Sequence, residues 1–251
     1  MAAAKVFVIT GASKGIGAAI VQCLLAQSHK LVLAARSEHL LEAVRTSHPG
    51  QIEYLAGDMT SPDMPRRLTD LAVKSFGRVD GIVINHGLLD PQTIDGSAIE
   101  GWKHLYNVNV FSCLAVAKAG IPELRKTKGC IVWLSSGAAT KPYMAWAAYG
   151  SSKAAINSIS THLAVEEPDI TSITVAPGRV DTDMQAVIRS SGKDTMNRAQ
   201  YDTFVEAFGQ GKLLKPEQPG HVIAKFVAGP QRDLSGQCLN WNSRELAAYQ
   251  E

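Results

Sequence analysis

The sequence predicts an α/β fold, with one doubly wound parallel sheet of about seven strands and helices on both faces. Three observations carry this. Short apolar, β-rich runs alternate with longer helical patterns along all 251 residues. Those runs are continuously apolar, as strands covered on both faces are. No linker, composition shift or internal repeat divides the chain, so a single domain over 1–251 is the economical solution.

The strands are expected at Val6–Thr10, Lys30–Arg36, Ile52–Gly57, Gly81–Asn85, Cys130–Ser135, Ile170–Ala176 and Gln237–Trp241. Helical signals lie between them. Ser37 is placed to cap a helix holding Leu40, Leu41 and Val44. Ser61-Pro62-Asp63 reads as a helix start, with an N-cap followed by proline at the first position. It leads into Leu68, Leu71, Ala72 and Phe76, with Gly77 past the end. Residues 182–219 break the alternation. They are polar and punctuated by glycines, and they suit two short hinged helices. An insertion after a strand end in such a fold is expected to be a substrate lid, because ligands bind outside the carboxyl ends of the strands.

Composition excludes several classes. The apolar fraction of 45% and charged fraction of 19% are those of an ordinary globular enzyme. A net charge of +2 with no long basic run argues against nucleic acid or a membrane surface as partner. Residues 1–5 run straight into the first strand without the apolar stretch of a signal peptide, and no segment is apolar enough to span a bilayer. Cys23, Cys113, Cys130 and Cys238 are widely spaced with no C-x-x-C. They are expected to be buried free thiols, with no metal site, in a reducing cytoplasmic setting.

Two motifs carry chemistry. Thr10-Gly11-Ala12-Ser13-Lys14-Gly15-Ile16-Gly17 follows the first strand and opens the first helix. Its glycines permit a tight turn and close approach to a pyrophosphate, and the helix N-terminus offers N–H groups and a positive dipole end. Far downstream, Tyr149 and Lys153 stand one helical turn apart, with Ser136 a short loop before them. An ammonium beside a phenol favours phenolate, so the Tyr149 pKa is expected to fall from about 10 toward neutrality. A lone Y-x-x-x-K is usually a solvated helix face; a nucleotide loop at the other end of the chain changes that.

Together these motifs resemble the short-chain dehydrogenase/reductase family, over roughly residues 5–241. Asp58 resembles the acid that contacts adenine. Asn85-His86-Gly87 resembles the family's N-N-A-G, with Ile84 in place of its first Asn and His86 in place of its Ala. Asn109 resembles the helix asparagine of the catalytic tetrad. Pro177-Gly178-Arg179-Val180-Asp181-Thr182 matches P-G-x-x-x-T at the nicotinamide end. The resemblance implies a Rossmann dinucleotide fold and a catalytic set of Asn109, Ser136, Tyr149 and Lys153. In that set Tyr149 is the acid, Lys153 holds the ribose and biases Tyr149 toward ionisation, Ser136 binds the substrate carbonyl, and Asn109 holds a relay water. Ser136 is preferred over Ser135 on register. Ile84 is expected to bury itself, and His86 to be a packed neutral imidazole.

NAD enzymes carry an acidic residue at the end of the second strand, about 20 residues past the glycines. Here Ala35 and Arg36 stand there. With no carboxylate to repel it, a 2′-phosphate would meet Arg36 and Lys14, so NADP(H) is the expected cofactor. Thr140, Tyr143, Met144, Trp146 and Met184, completed by Leu88 and Leu89, are expected to wall an apolar, aromatic pocket without an Arg or Lys clamp. Several stretches also resemble the benzil reductase and sepiapterin reductase-like branch, which implies a ketone or 1,2-diketone substrate. The alternatives are an alcohol dehydrogenase or a 3-oxoacyl or steroid reductase of the same fold, and, from another class, a non-catalytic dinucleotide sensor. The family is commonly dimeric or tetrameric, so a homodimer or homotetramer is expected. Phe111, Ala115, Ile156, Ile159 and Leu163 fit either that interface or packing on the sheet.

Overall fold

A computed structural model describes residues 4–250. Residues 1–3 and 251 lie outside the described residues, so the expectation for the first five residues is read only at Ala4 and Lys5. Seven strands form one parallel sheet among the described residues. They are β1 (Val6–Thr10), β2 (Lys30–Ala35), β3 (Ile52–Ala56), β4 (Gly81–Ile84), β5 (Cys130–Leu134), β6 (Thr171–Ala176) and β7 (Cys238–Asn240). Their order is β3-β2-β1-β4-β5-β6-β7. The winding reverses between β1 and β4, which opens a crevice at the carboxyl ends of those strands.

Alternate strand residues feed two core layers. Phe7 and Ile9 face one layer; Val6 and Val8 face the other. The first layer packs under α1 (Gly15–Ala26) and α9 (Glu217–Ala228), through Ile20, Leu24, Val222 and Phe226. The second packs under α3 (Met64–Phe76), α5 (Ser112–Thr127) and α6 (Ala147–Glu166), through Leu68, Val116, Leu124, Ile156 and Leu163. This two-sided cover explains the unbroken apolar strands, and Ile84 is buried within them as expected. A third, smaller cluster sits over the carboxyl edge. There α7 (Asp183–Ser191) and α8 (Arg198–Gly209) bring Ile188 and Phe204 onto Trp146 and Tyr149. The two helices occupy the polar stretch read as hinged.

Several expectations are corrected. The helix after β3 begins at Met64, not at Ser61-Pro62, and Pro65 is its first-turn proline. Asp58 is the cause: its Oδ1 accepts from the Thr60 N–H and hydroxyl, both at 2.9 Å, and draws the following residues into a turn. Gly77 does end this helix, with φ +81. Ser37 is the N-cap of α2 (Glu38–Ser47), but its side chain makes no cap bond. Only Cys113 and Cys130 are buried; Cys23 is half-buried and Cys238 exposed. Strand β7 is a three-residue sheet edge, and Cys238 is on its solvent face. Among the described residues no helix is long and apolar enough to cross a membrane.

α4 (Ile99–Tyr106) does not run directly into α5. A π-helical turn, Asn107–Phe111, joins them. The Ser112 N–H reaches back to the Asn107 carbonyl, five residues away, and Ser112 Oγ donates to the Val108 carbonyl at 2.7 Å. Such over-wide turns recur at functional sites.

Candidate active site

The glycine loop joins β1 to α1. Gly11 and Gly15 have φ of +63 and +52, which favours glycine. A Cβ on Gly17 would lie 2.1 Å from the Gly11 carbonyl oxygen, so no other residue fits there. Asn85 Nδ2 donates to that same oxygen at 3.0 Å and ties the loop to the end of β4. No side chain caps α1, and its first turn holds no acid. Its leading N–H groups are therefore available to an anion. Gly11, Ser13, Lys14, Arg36, Asp58, His86 and Gly87 line a cavity of about 390 Å³ at this end. The Thr60 backbone N–H holds the Asp58 carboxyl below its usual range, helped by the Thr60 hydroxyl. Arg36 is exposed at the end of β2. These residues fit a dinucleotide phosphate and ribose. Lys14 is already engaged elsewhere, since its Nζ pairs with Asp183 Oδ2 at 3.0 Å.

His86 is half-buried between the glycine loop and the π-helical turn. Its Nδ1 lies 2.7 Å from Thr10 Oγ1 and its Nε2 lies 2.8 Å from Ser112 Oγ. Ser112 commits its own proton to Val108, so His86 Nε2–H donates to Ser112 and Nδ1 accepts from Thr10. Burial, reinforced by Lys153, pushes the imidazole down to about 3. It is the packed neutral ring expected, and it links the glycine loop to the π-helical turn.

That turn aims Asn109, which is fully buried. Its Oδ1 accepts from the Leu88 N–H at 2.7 Å; its Nδ2 donates to the Leu88 carbonyl at 2.8 Å and to Ser152 Oγ at 3.1 Å. Asn109 thus clasps the loop after β4 to α6. A Cβ on Gly87 would stand 3.5 Å from both Asn109 Oδ1 and Lys153 Nζ, so these two groups meet at one point.

Ser136 caps a short 3₁₀ turn, Gly137–Ala139, and its Oγ accepts from the Ala138 N–H at 3.1 Å. Its hydroxyl stands beside the Tyr149 phenol. Ser135 turns away and donates to Asn157 Oδ1 at 2.6 Å. Gly150 permits this meeting: a Cβ there would lie 2.7 Å from the Ala138 carbonyl oxygen. Lys153 is buried and donates to the Leu134 carbonyl at 2.7 Å, with Nζ 5.9 Å from the Tyr149 ring centre.

This arrangement reverses one expectation. Burial pushes the Tyr149 phenol above its ordinary pKa; only the Ser136 hydroxyl opposes it. Burial likewise pulls Lys153 down. The ammonium is spent on a carbonyl rather than aimed at the phenol oxygen, so in this arrangement it does not favour phenolate.

Two cavities meet at Tyr149. The larger, about 550 Å³, is lined by Gly15, Ile16, Asn85, Gly87, Pro177, Thr182 and Met184, with Tyr149 and Lys153. The smaller, about 170 Å³, is lined by Leu89, Ser136, Tyr143, Trp146, Tyr149, Gly178, Val180 and Met184. Thr140 and Met144 do not line it. Thr140 is exposed and bonds back to Gly137; Met144 is exposed, with its N–H on Gln200 Oε1. In their place stand Gln185, Ile188 and Phe204 from α7 and α8. Two arginines also reach the site against expectation, Arg179 at the smaller cavity and Arg189 at the larger. Arg179 is committed to Thr203 and to the Phe204 ring, 4.3 Å away. Only the long-range fold brings these residues in, although the apolar spacing of Ile188 and Phe204 marks each as an inward helix position.

A parallel sheet with a glycine-loop crevice at its switch point, and an Asn–Ser–Tyr–Lys group at the same edge, define the architecture of a nucleotide-dependent oxidoreductase. The protein belongs to the short chain dehydrogenase family, whose model matches residues 5–193. That family uses an NAD(P)(H) cofactor on small-molecule substrates. The chain is 37% identical to an uncharacterised oxidoreductase of Schizosaccharomyces pombe, over 96% of this chain and 98% of the relative. It is 34% identical to a benzil reductase ((S)-benzoin forming) of Saccharomyces cerevisiae, over 98% and 99% respectively. A crystal structure of a Saccharomyces cerevisiae short chain dehydrogenase/reductase superposes with a TM-score of 0.96 at 37% identity, covering 98% of this chain and 100% of that one.

Proposed function

We propose that this protein is an NADPH-dependent carbonyl reductase acting on ketones or 1,2-diketones, with Tyr149 as general acid. The observation that carries the proposal is the position of Tyr149. It lines both the larger crevice, beside the residues that would hold a nicotinamide, and the small aromatic cavity that would hold a substrate. The benzil reductase relative supports a diketone.

The glycine loop with Ser13, the N-terminus of α1, Asn85, His86 and Asp58 would hold the adenosine and phosphates; Gly87, Pro177, Gly178, Val180 and Thr182 would hold the nicotinamide end. Arg36 favours a 2′-phosphate, since among the described residues it forms no ion pair and no carboxylate ends β2. The bound dinucleotide supplies the hydride. Tyr149 donates its proton to the substrate oxygen as negative charge builds there. The raised pKa suits this direction, because a reductase needs the phenol protonated at neutral pH. Ser136 accepts from the Ala138 N–H, which leaves its own proton to stabilise the same oxygen. Lys153 would hold the ribose hydroxyls of the dinucleotide, and Asn109 holds the Leu88 loop against α6.

Helices α7 and α8 act as the substrate lid. Ile156 and Leu163 are spent on the core, so Phe111, 59% exposed at the end of the π-helical turn, is the available anchor for a homodimer or homotetramer. The four free thiols fit a cytoplasmic location. NADPH consumption across monoketones, 1,2-diketones, a steroid and a 3-oxoacyl thioester, with NADH as control, tests the assignment. Fastest turnover on a diketone with NADPH supports it; turnover confined to the steroid or thioester replaces the substrate class; turnover of none points to a sensor.

A further inference from the structure

Two polar groups in the walls of the small cavity have no hydrogen-bond partner. Trp146 Nε1 is one and Gln185 Oε1 is the other. The side chains are only 6% and 7% exposed, and both line the cavity that holds Ser136 and Tyr149. Buried polar groups are nearly always paired, so two orphans in one small wall call for a cause.

Neither is an accident of loose packing. Trp146 is clamped by aromatic rings, with centroids 4.8 Å from Tyr143, 5.4 Å from Phe204 and 5.8 Å from Tyr149. Its plane stands at 89° to the Tyr149 ring. A phenylalanine would fill this stack as well, without an N–H to satisfy. Gln185 sits on α7, the first helix of the lid, among Met184 and Ile188, where an apolar residue would pack more cheaply. The walls therefore hold an unpaired indole N–H and an unpaired amide oxygen, each closed off from the cavity as the lid stands. An indole N–H can only donate, whereas an amide carries both a donor and an acceptor and serves either role by a half-turn.

We infer that Trp146 and Gln185 form a second oxygen-binding point, which selects carbonyl compounds bearing another oxygen on the adjacent carbon: 1,2-dicarbonyls and α-hydroxyketones. This rests on the carbonyl-reductase reading and sharpens it. Tyr149 and Ser136 take the oxygen that is reduced; Trp146 Nε1–H donates to its neighbour, and the Gln185 amide closes over that neighbour from the lid. A monoketone leaves both groups unpaired, so the site discriminates against it in the way polar sites reject analogues that lack the matching group.

The test pairs an aryl 1,2-diketone with the aryl monoketone of the same carbon skeleton. The quantity read is the ratio of their kcat/KM values in the wild type, in Trp146→Phe and in Gln185→Leu. Intrinsic reactivity differs between the two compounds but cancels when variants are compared. The expected result is a ratio lowered about tenfold in each variant, the scale of one buried hydrogen bond. A ratio equal to the wild-type value in both variants overturns the inference, whatever their absolute rates. If the wild type reduces neither compound, the carbonyl-reductase reading fails. Calorimetric titration of the diketone then decides the binding point alone: weaker binding in both variants upholds it, and unchanged binding overturns it.

Discussion

Lys14 Nζ lies 3.0 Å from Asp183 Oδ2, a bond between residues 169 apart in sequence. It joins the N-cap of α1 to the first turn of α7, and both side chains are largely exposed. The pair spans the crevice that a dinucleotide would enter, and Asp183 lines the cavities at both ends of it.

Asp183→Asn is expected to tighten NADPH binding by about two- to fivefold. The change removes a negative charge facing the phosphates and frees Lys14 to meet them. Exposed bridges of this kind contribute only about 0.2–1 kcal/mol, so the thermal midpoint should hardly move. Fluorescence titration at two salt concentrations checks this; weaker binding at both would show that the bridge retains the cofactor instead.

Tyr149→Phe is expected to lower kcat about 10²–10⁴-fold, the usual share of a positioned acid, with NADPH affinity largely kept. Because burial raises the phenol pKa, the wild-type reduction rate should stay flat through neutral pH and decline only above about 10, where a free phenol would already ionise. The reverse oxidation needs phenolate and should rise with pH. A reduction profile that breaks near neutrality would contradict the raised pKa.

Arg36→Asp is expected to move the NADPH/NADH ratio of kcat/KM by about a hundredfold toward NADH, on the order of one charge-assisted hydrogen bond lost and one repulsion gained. An unmoved ratio would place the 2′-phosphate elsewhere.

His86 predicts an acid sensitivity. Its folded pKa of about 3 lies below its ordinary value of 6.5. The neutral ring is thus favoured by folding, and that contribution is present above the ordinary value and lost as pH falls from there toward 3. His86→Gln keeps a donor for Ser112 but cannot take up a proton. Urea midpoints measured at falling pH should therefore decline less steeply in the variant. Parallel curves would show that other groups govern acid unfolding.

Much of this was legible along the chain, for local reasons. The glycine loop is contiguous, and its turn is dictated by its own residues. The strands were found because burial on both faces leaves an unbroken apolar run, and their ends slipped by about one residue because the last rung depends on a neighbouring strand. Tyr149, Lys153 and Ser136 were legible as a set. The direction of the Tyr149 shift was not, because it turns on Lys153 finding the Leu134 carbonyl and on burial by residues far away. Phe204 and Gln185 entered the pocket, and Thr140 and Met144 left it, because α7 and α8 fold back over the edge. Cys238 is exposed because strand order makes β7 an edge, which no local pattern encodes.

The over-wide turn at Asn107–Phe111 sets helix regularity against reactivity. Deleting one residue there would let the backbone run on with ordinary i→i−4 bonding. The same deletion would swing Asn109 about 100° around the helix axis, away from Leu88. Single-residue losses in this stretch should therefore yield chains that are folded, sturdier as helices, and inert, while substitutions that keep the register leave the enzyme alive.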